Sequence, residues 1–188
     1  MTTNGDKALV AHFMPICDRL LMLPFTIHCS RPVLAAEFSE PQDILSWSLT
    51  RPGFVRARSG EAHAACLATI GLTNAGRVGE RAQMMMPAGT INLLVHIDRP
   101  LSVAAHLEAM SIAAEARTAA IMELGLDVGS RVATGTGTDC IAVSAPPGEQ
   151  GEGASYAGLH TDIGAALGGA VYDAVSEGGR LWMKERGF

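Results

Sequence analysis

A threonine- and glycine-rich stretch, Ala133-Thr134-Gly135-Thr136-Gly137-Thr138-Asp139, runs directly into the apolar segment Cys140-Ile141-Ala142-Val143-Ser144. The pattern predicts a loop that ends in a carboxylate at the point where a strand begins. Its glycines let the backbone approach a ligand closely, and its threonine hydroxyls can each donate and accept a hydrogen bond. We therefore interpret this loop as the candidate site around which the fold is organised.

A second run, Tyr156-Ala157-Gly158-Leu159-His160-Thr161-Asp162, leads into a predicted helix. Thr161 suits the N-cap position, and Asp162 suits the first turn, where a negative charge is favoured. Apolar residues then recur on one helical face until Gly178-Gly179 interrupts the pattern. The periodicity predicts a helix over 162–177, with a histidine just before its start.

The other elements follow from shorter signals. The apolar segments 64–72 and 90–97 predict strands, and 101–124, which a glycine follows, predicts the longest helix. Before them, proline-punctuated apolar runs over 7–48 fit strands joined by turns. Together these elements predict one α+β domain over 1–188, in which an antiparallel-rich mixed β-sheet packs against two main helices. A layered α/β sandwich is the alternative, because the last strand–loop–helix unit also suits a parallel sheet.

Composition and charge limit the class of protein. Of the 188 residues, 48% are hydrophobic and 18% charged, which is typical of a globular core and not of a disordered chain. The net charge of −5 argues against a nucleic-acid partner. No apolar run approaches the roughly 20 residues of a membrane span, and the N-terminus lacks the layout of a signal peptide. With four scattered cysteines interpreted as free thiols, we expect a cytoplasmic protein that binds neither nucleic acid nor membrane.

The segment 73–89 is longer than a compact domain usually leaves without a purpose. It carries three consecutive methionines, of which Met85 is the central one, and polar side chains at Asn74 and Glu80. Because methionine adapts to irregular apolar partners, we interpret the segment as a wall or lid beside the threonine–glycine loop. A loop folded over the core is the alternative. Trp47, between two serines, suits either core packing or an aromatic wall beside a flat ligand.

Several familiar catalytic patterns are absent from the sequence. The GxGxxG pattern fails at Cys140, and no Walker loop and no GxSxG, SxxK or HExxH motif occurs. The histidines are too widely spaced to form a recognisable metal set, so we expect no metal site. What remains is the hydroxyl-rich loop, a carboxylate at Asp139 and an imidazole at His160, a set that suits general acid–base chemistry on a polar substrate. Glu115, on the long helix, faces either solvent or the site.

The two runs described first resemble the signature of the adenosylcobinamide amidohydrolase (CbiZ) family. The resemblance covers roughly residues 45–175. It takes in, in order, Thr69-Ile70-Gly71-Leu72-Thr73-Asn74, Gly89-Thr90-Ile91-Asn92, Arg99-Pro100-Leu101 and Glu115-Ala116-Arg117-Thr118. Members of that family hydrolyse the amide that joins aminopropanol to a side chain of the corrin ring, and they release adenosylcobyric acid for cobalamin salvage. Leu159 departs from the family motif, which often has lysine there.

The resemblance implies an amidohydrolase whose small-molecule partner is a corrinoid, with no cofactor beyond the cobalt that the substrate carries. Such an enzyme must activate water, stabilise an oxyanion and protonate an amine. The candidate catalytic residues are Asp139, His160, Thr138 and Glu115. The candidate substrate-binding residues are Thr134, Gly135, Thr136, Gly137, Asn74, Glu80, Met85 and Trp47.

The division of roles among these residues stays open in the sequence. Asp139 either orients His160 or acts as the base itself, depending on whether the segment 146–158 runs back towards the loop. The backbone N–H groups of Gly135 and Gly137 are candidates for binding the oxyanion. A corrinoid-binding or carrier protein without hydrolytic activity is the alternative function. Whether the chain forms a homo-oligomer is also open.

Overall fold

The structure is a computed structural model that describes residues 25–30, 33–38, 52–81, 89–129, 131–148 and 153–188. Two predicted substrate-binding residues, Trp47 and Met85, lie outside the described residues, and their contacts stay predictions. The described elements are, in chain order, β1 (Phe25–Ser30), β2 (Val33–Phe38), β3 (Pro52–Ser59), β4 (Ala62–Ile70), β5 (Ala75–Gly76), β6 (Ile91–Ile97), α1 (Val103–Leu124), β7 (Gly135–Thr136), β8 (Cys140–Ser144) and α2 (Asp162–Arg186).

Four of the described strands form the main sheet, in the order β3-β4-β6-β8. The β3–β4 and β4–β6 pairs are antiparallel, whereas β6 and β8 are parallel. Parallel neighbours need a crossover connection, and α1 lies in the connection between β6 and β8. The sheet is therefore mixed and mostly antiparallel, which confirms the predicted α+β class. The pairs β1–β2 and β5–β7 form two separate two-stranded ladders.

The main sheet has two ends, and they hold different parts of the predicted site. At one end, called here the loop end, β4 finishes at Ile70 while β6 begins at Ile91 and β8 at Cys140. At the other, called the hairpin end, the β3–β4 hairpin turns at Gly60 and β6 finishes at Ile97. Because β6 is seven residues long, the two ends are about 20 Å apart along it.

Both described helices pack against one face of the main sheet. Cys66, Ala68 and Ile70, which the alternation along β4 places on one face, share a core with the buried sides of α1 and α2. Those helix sides carry mainly small residues, which let helix and sheet approach closely. The buried alanines are Ala105, Ala109, Ala113 and Ala120 on α1 and Ala166, Ala170 and Ala174 on α2.

The predicted start of α2 is confirmed, but its predicted end is wrong. Thr161 is the N-cap, and its hydroxyl accepts a hydrogen bond from the N–H of Gly164. The helix does not stop at Gly178 but continues to Arg186. A Cβ at position 178 would lie 2.6 Å from Cγ1 of Ile70, so the glycine allows close packing on β4 and does not end the helix. Neither described helix combines the length and apolar composition that crossing a membrane requires.

Candidate functional site

Asp139 lies at the loop end and accepts four hydrogen bonds. Its Oδ1 accepts from the backbone N–H of Ile91 at 3.1 Å and from the hydroxyl of Thr136. Its Oδ2 accepts from the backbone N–H of Thr136 at 3.0 Å and from Nη1 of Arg117. An ionised carboxylate offers about four lone-pair sites, so these donors occupy them. Asp139 thereby ties the threonine–glycine loop to the start of β6 and to α1.

Arg117 is not among the predicted site residues, although it lies in a segment that carries the family resemblance. Its ion pair with Asp139 is largely buried, with 17% and 9% of the two side chains exposed. Gly135 packs directly against this pair, because a Cβ there would lie 2.6 Å from Oδ2 of Asp139 and would overlap Nη1 of Arg117. Glu115, the predicted residue of the same segment, is exposed. It is two positions from Arg117 and so lies on a different side of α1.

The segment 73–81 lies alongside the threonine–glycine loop, where β5 pairs with β7. Two further contacts fasten it there. The hydroxyl of Thr134 accepts a hydrogen bond from the N–H of Val78 at 2.8 Å. The N–H of Gly137 donates to the carbonyl oxygen of Asn74 at 3.2 Å. This part of the predicted wall is therefore a hydrogen-bonded ribbon, and residues 82–88 lie outside the described part of the chain.

This pairing changes what the loop offers a ligand. The N–H of Gly137, a predicted oxyanion donor, already donates to Asn74 within the ribbon. The hydroxyl of Thr134 is buried and paired. Thr138 is exposed, and the carboxamide of Asn74 lies beside Gly137, where a Cβ would be 3.3 Å from its Nδ2. Glu80 is exposed as well and forms an ion pair with Arg131 at 3.6 Å.

Two polar pairs join the other strands to the loop end. The hydroxyl of Thr90 donates to the carbonyl oxygen of Thr138 at 2.7 Å. The carboxamide Nδ2 of Asn92 donates to the hydroxyl of Thr69 at 2.9 Å, and both side chains are fully buried. The Oδ1 of Asn92 is buried and has no hydrogen-bond partner in the described part of the chain. The loop end thus gathers polar groups from the end of β4, the start of β6, α1 and the threonine–glycine loop.

His160 lies at the hairpin end, in the turn before α2, and it is exposed. The first residue of α2, Asp162, faces the β3–β4 turn, where the hydroxyl of Ser59 approaches its Oδ1 at 3.4 Å. Glu108 on α1 accepts a hydrogen bond from the N–H of Ala157 at 2.7 Å and holds the segment that precedes the turn. The start of α2 is therefore anchored to α1 and to the hairpin, away from the threonine–glycine loop.

The structure does not bring the two main predicted catalytic residues together. Asp139 lies at the loop end and His160 at the hairpin end, so about 20 Å of sheet separates them. The reason is topological: β8 starts directly after Asp139 and carries the chain towards the hairpin end, where α2 begins. Asp139 therefore does not orient His160. Of the predicted catalytic residues, only Thr138 is a close neighbour of Asp139.

The hairpin end holds another imidazole with a carboxylate partner, which the sequence did not single out. Nδ1 of His63 is 2.9 Å from Oδ2 of Asp98, and the backbone N–H of His63 donates to Oδ1 of Asp98 at 3.2 Å. Burial by itself would raise the pKa of Asp98, but hydrogen bonds from His63 and Arg99 hold that pKa below its usual value. The two residues are 35 positions apart, and only the antiparallel β4–β6 pairing makes them neighbours.

Fold and site together define a class, an α+β protein with a hydroxyl-rich loop held by a buried ion pair at one end of a mixed sheet. Within the described residues, no group of three or more His, Cys, Asp or Glu side chains is placed to hold a metal ion. The family model described as adenosylcobinamide amidohydrolase matches residues 54–187, which is well over half of the chain. The chain therefore belongs to the adenosylcobinamide amidohydrolase family.

Comparison with curated proteins adds a partial match. A protein of Halobacterium salinarum (strain ATCC 700922 / JCM 11081 / NRC-1), named adenosylcobinamide amidohydrolase, is 36% identical to this chain over 89 residues. The match covers 47% of this chain and 35% of that relative, so the chain spans about a third of the relative's length. No solved structure matches the chain significantly.

Proposed function

We propose that the protein hydrolyses the amide that joins aminopropanol to the corrin side chain of adenosylcobinamide and releases adenosylcobyric acid. The reaction would serve corrinoid salvage, as a step of cobalamin biosynthesis in the cytoplasm. Family membership over residues 54–187 supports an amidohydrolase. The name of the Halobacterium relative supports the choice of substrate.

One structural observation carries the proposal to a site. Four of the segments that resemble the family, 69–74, 89–92, 115–118 and 133–139, meet at the loop end through hydrogen bonds between their side chains and backbone. Binding and catalytic residues lie disproportionately often on loops that a rigid scaffold brings together. We therefore assign substrate binding to the loop end.

The polar groups of the loop end that are at least partly accessible suit a corrinoid. Such a substrate has an apolar ring with a fringe of amides, and amides both donate and accept hydrogen bonds. The carboxamide of Asn74 and the hydroxyl of Thr138 can likewise donate and accept hydrogen bonds. Thr138 is also the group we propose to position the attacking water. The apolar contacts with the ring are assigned to Trp47 and Met85, as a proposal that follows from the sequence.

Hydrolysis of purified adenosylcobinamide, followed by chromatography, tests this function. We expect adenosylcobyric acid to accumulate with the wild-type protein. Thr138→Val and Asn74→Ala should each lower kcat/KM by about tenfold or more, the loss of one or two hydrogen bonds to the substrate. His160→Ala, at the other end of the sheet, is the matched variant and should change kcat/KM by less than about threefold.

Two other results would redirect the proposal. If His160→Ala abolishes hydrolysis while Thr138→Val leaves it intact, the reacting amide lies at the hairpin end. If the wild-type protein binds the corrinoid tightly but leaves it intact at high enzyme concentration, the chain is a corrinoid-binding or carrier protein and not a hydrolase.

A further inference from the structure

The guanidinium of Arg117 uses little of its hydrogen-bonding capacity within the described chain. A guanidinium carries five N–H donors in a fixed planar arrangement. Its only described hydrogen bond runs from Nη1 to Oδ2 of Asp139. Nε is buried and has no hydrogen-bond partner among the described residues. A buried donor left unpaired is destabilising, so the arrangement favours an acceptor that the described residues do not supply.

The guanidinium is also held in a fixed place. Asp139 binds it from one side and is itself held by the N–H groups of Ile91 and Thr136. Gly135 lies against the ion pair so closely that no side chain fits between them. Arg117 therefore lies directly beneath the loop that the proposed function assigns to the substrate, and it is oriented before any ligand arrives.

The charge of this environment indicates which acceptor fits. Arg117 and Asp139 form a pair with no net charge, so an added anion would meet the carboxylate as well as the guanidinium. A neutral carbonyl oxygen satisfies the donors without that repulsion. Amide carbonyls are the acceptors that surround a corrin ring, and here the inference rests on the proposed function.

We propose that Arg117 is a substrate-binding residue whose free N–H donors bind an amide carbonyl oxygen of the corrinoid, with Asp139 as its positioning residue. Hydrogen bonds from a charged donor contribute more to binding than neutral ones do. Lysine retains the charge but lacks the planar set of donors, so it is not an equivalent replacement.

The test measures binding of adenosylcobinamide apart from its hydrolysis, by equilibrium dialysis at short times. Arg117→Lys should raise the dissociation constant by about tenfold or more. Thermal unfolding shows whether the variant is folded. Arg180→Lys is the matched control, since Arg180 is exposed on α2, and it should bind like the wild type. A folded Arg117→Lys protein with wild-type affinity would overturn the inference.

A second measurement does not depend on a variant that folds. In the wild-type protein labelled with ¹⁵N-arginine, the Nε–H signal of Arg117 should shift and exchange more slowly with solvent when adenosylcobinamide is added. An unchanged Arg117 signal at saturating corrinoid would refute the inference. Wild-type protein that binds and shows the shift but never hydrolyses the amide would instead refute the proposed function alone.

Discussion

The loop end and the hairpin end both carry residues of types that are common in catalytic sites, yet these residues differ in burial and in their partners. At the loop end, the charges of Asp139 and Arg117 are largely buried and each is held by the other. At the hairpin end, His160 is exposed, as are its neighbours Tyr156 and Leu159, with 67% and 65% of each residue accessible. Asp139 and His160 are both of residue types common in catalytic sites. Asp139 is an integral part of the fold, whereas His160 is a surface group.

The largest expected difference between the two ends is in stability. Asp139→Ala leaves the guanidinium of Arg117 without its partner, and removing one member of a buried pair typically costs about 3–5 kcal/mol. His160→Ala removes an exposed side chain and should change the free energy of unfolding by less than about 0.5 kcal/mol. Urea unfolding, followed by circular dichroism, measures both. Equal losses in the two variants would contradict the contrast between the ends.

Two neighbouring glycines probe the loop end more finely. An alanine Cβ at Gly135 would meet both Arg117 and Asp139, whereas one at Gly137 would lie 3.3 Å from the movable carboxamide of Asn74. We expect Gly135→Ala to destabilise the protein by about 1–3 kcal/mol, as overpacking does. The Gly137→Ala variant should stay within about 0.5 kcal/mol of wild type. The thermal unfolding midpoints of the two variants give the comparison. A lower midpoint for Gly137→Ala than for Gly135→Ala would contradict the close packing at Gly135.

The smallest expected effect is a pH dependence confined to the hairpin end. Burial lowers the pKa of His96 from 6.5, an effect that the charge of Asp98 partly offsets. The folded state therefore binds fewer protons than the unfolded state as the pH falls below about 6.5. The stabilising contribution is complete above that pH and is lost progressively below it, with a slope of at most about 1.4 kcal/mol per pH unit.

Amide hydrogen exchange between pH 7 and pH 5 checks this prediction. Protection should weaken around Ser144, whose hydroxyl lies 3.0 Å from Nδ1 of His96, before it weakens at the loop end. His96→Gln should remove most of this dependence. His160→Gln, which changes an exposed histidine at the same end of the sheet, serves as its control. A slope that survives in His96→Gln would assign the effect to another group.

Much of the secondary structure could be predicted because its causes are local. The apolar run 64–72 and the hydroxyl at Thr161 act over a few positions, and the structure confirms a strand and an N-cap there. The end of α2 could not be predicted in this way. Gly178 would usually stop a helix, but here it makes room for Ile70, a residue that is far away in the sequence.

The sequence by itself determined the α+β class, the end of α1, the start of α2 and the identity of the threonine–glycine loop, because period, capping and glycine content are read from neighbouring residues. Only the tertiary structure decided which residues act together. Arg117 lies in a segment that resembles the family, but it reaches Asp139 only because α1 crosses from β6 to β8 over the sheet. His160 lies at the opposite end because β8 carries the chain away from Asp139, and sequence spacing does not encode that direction.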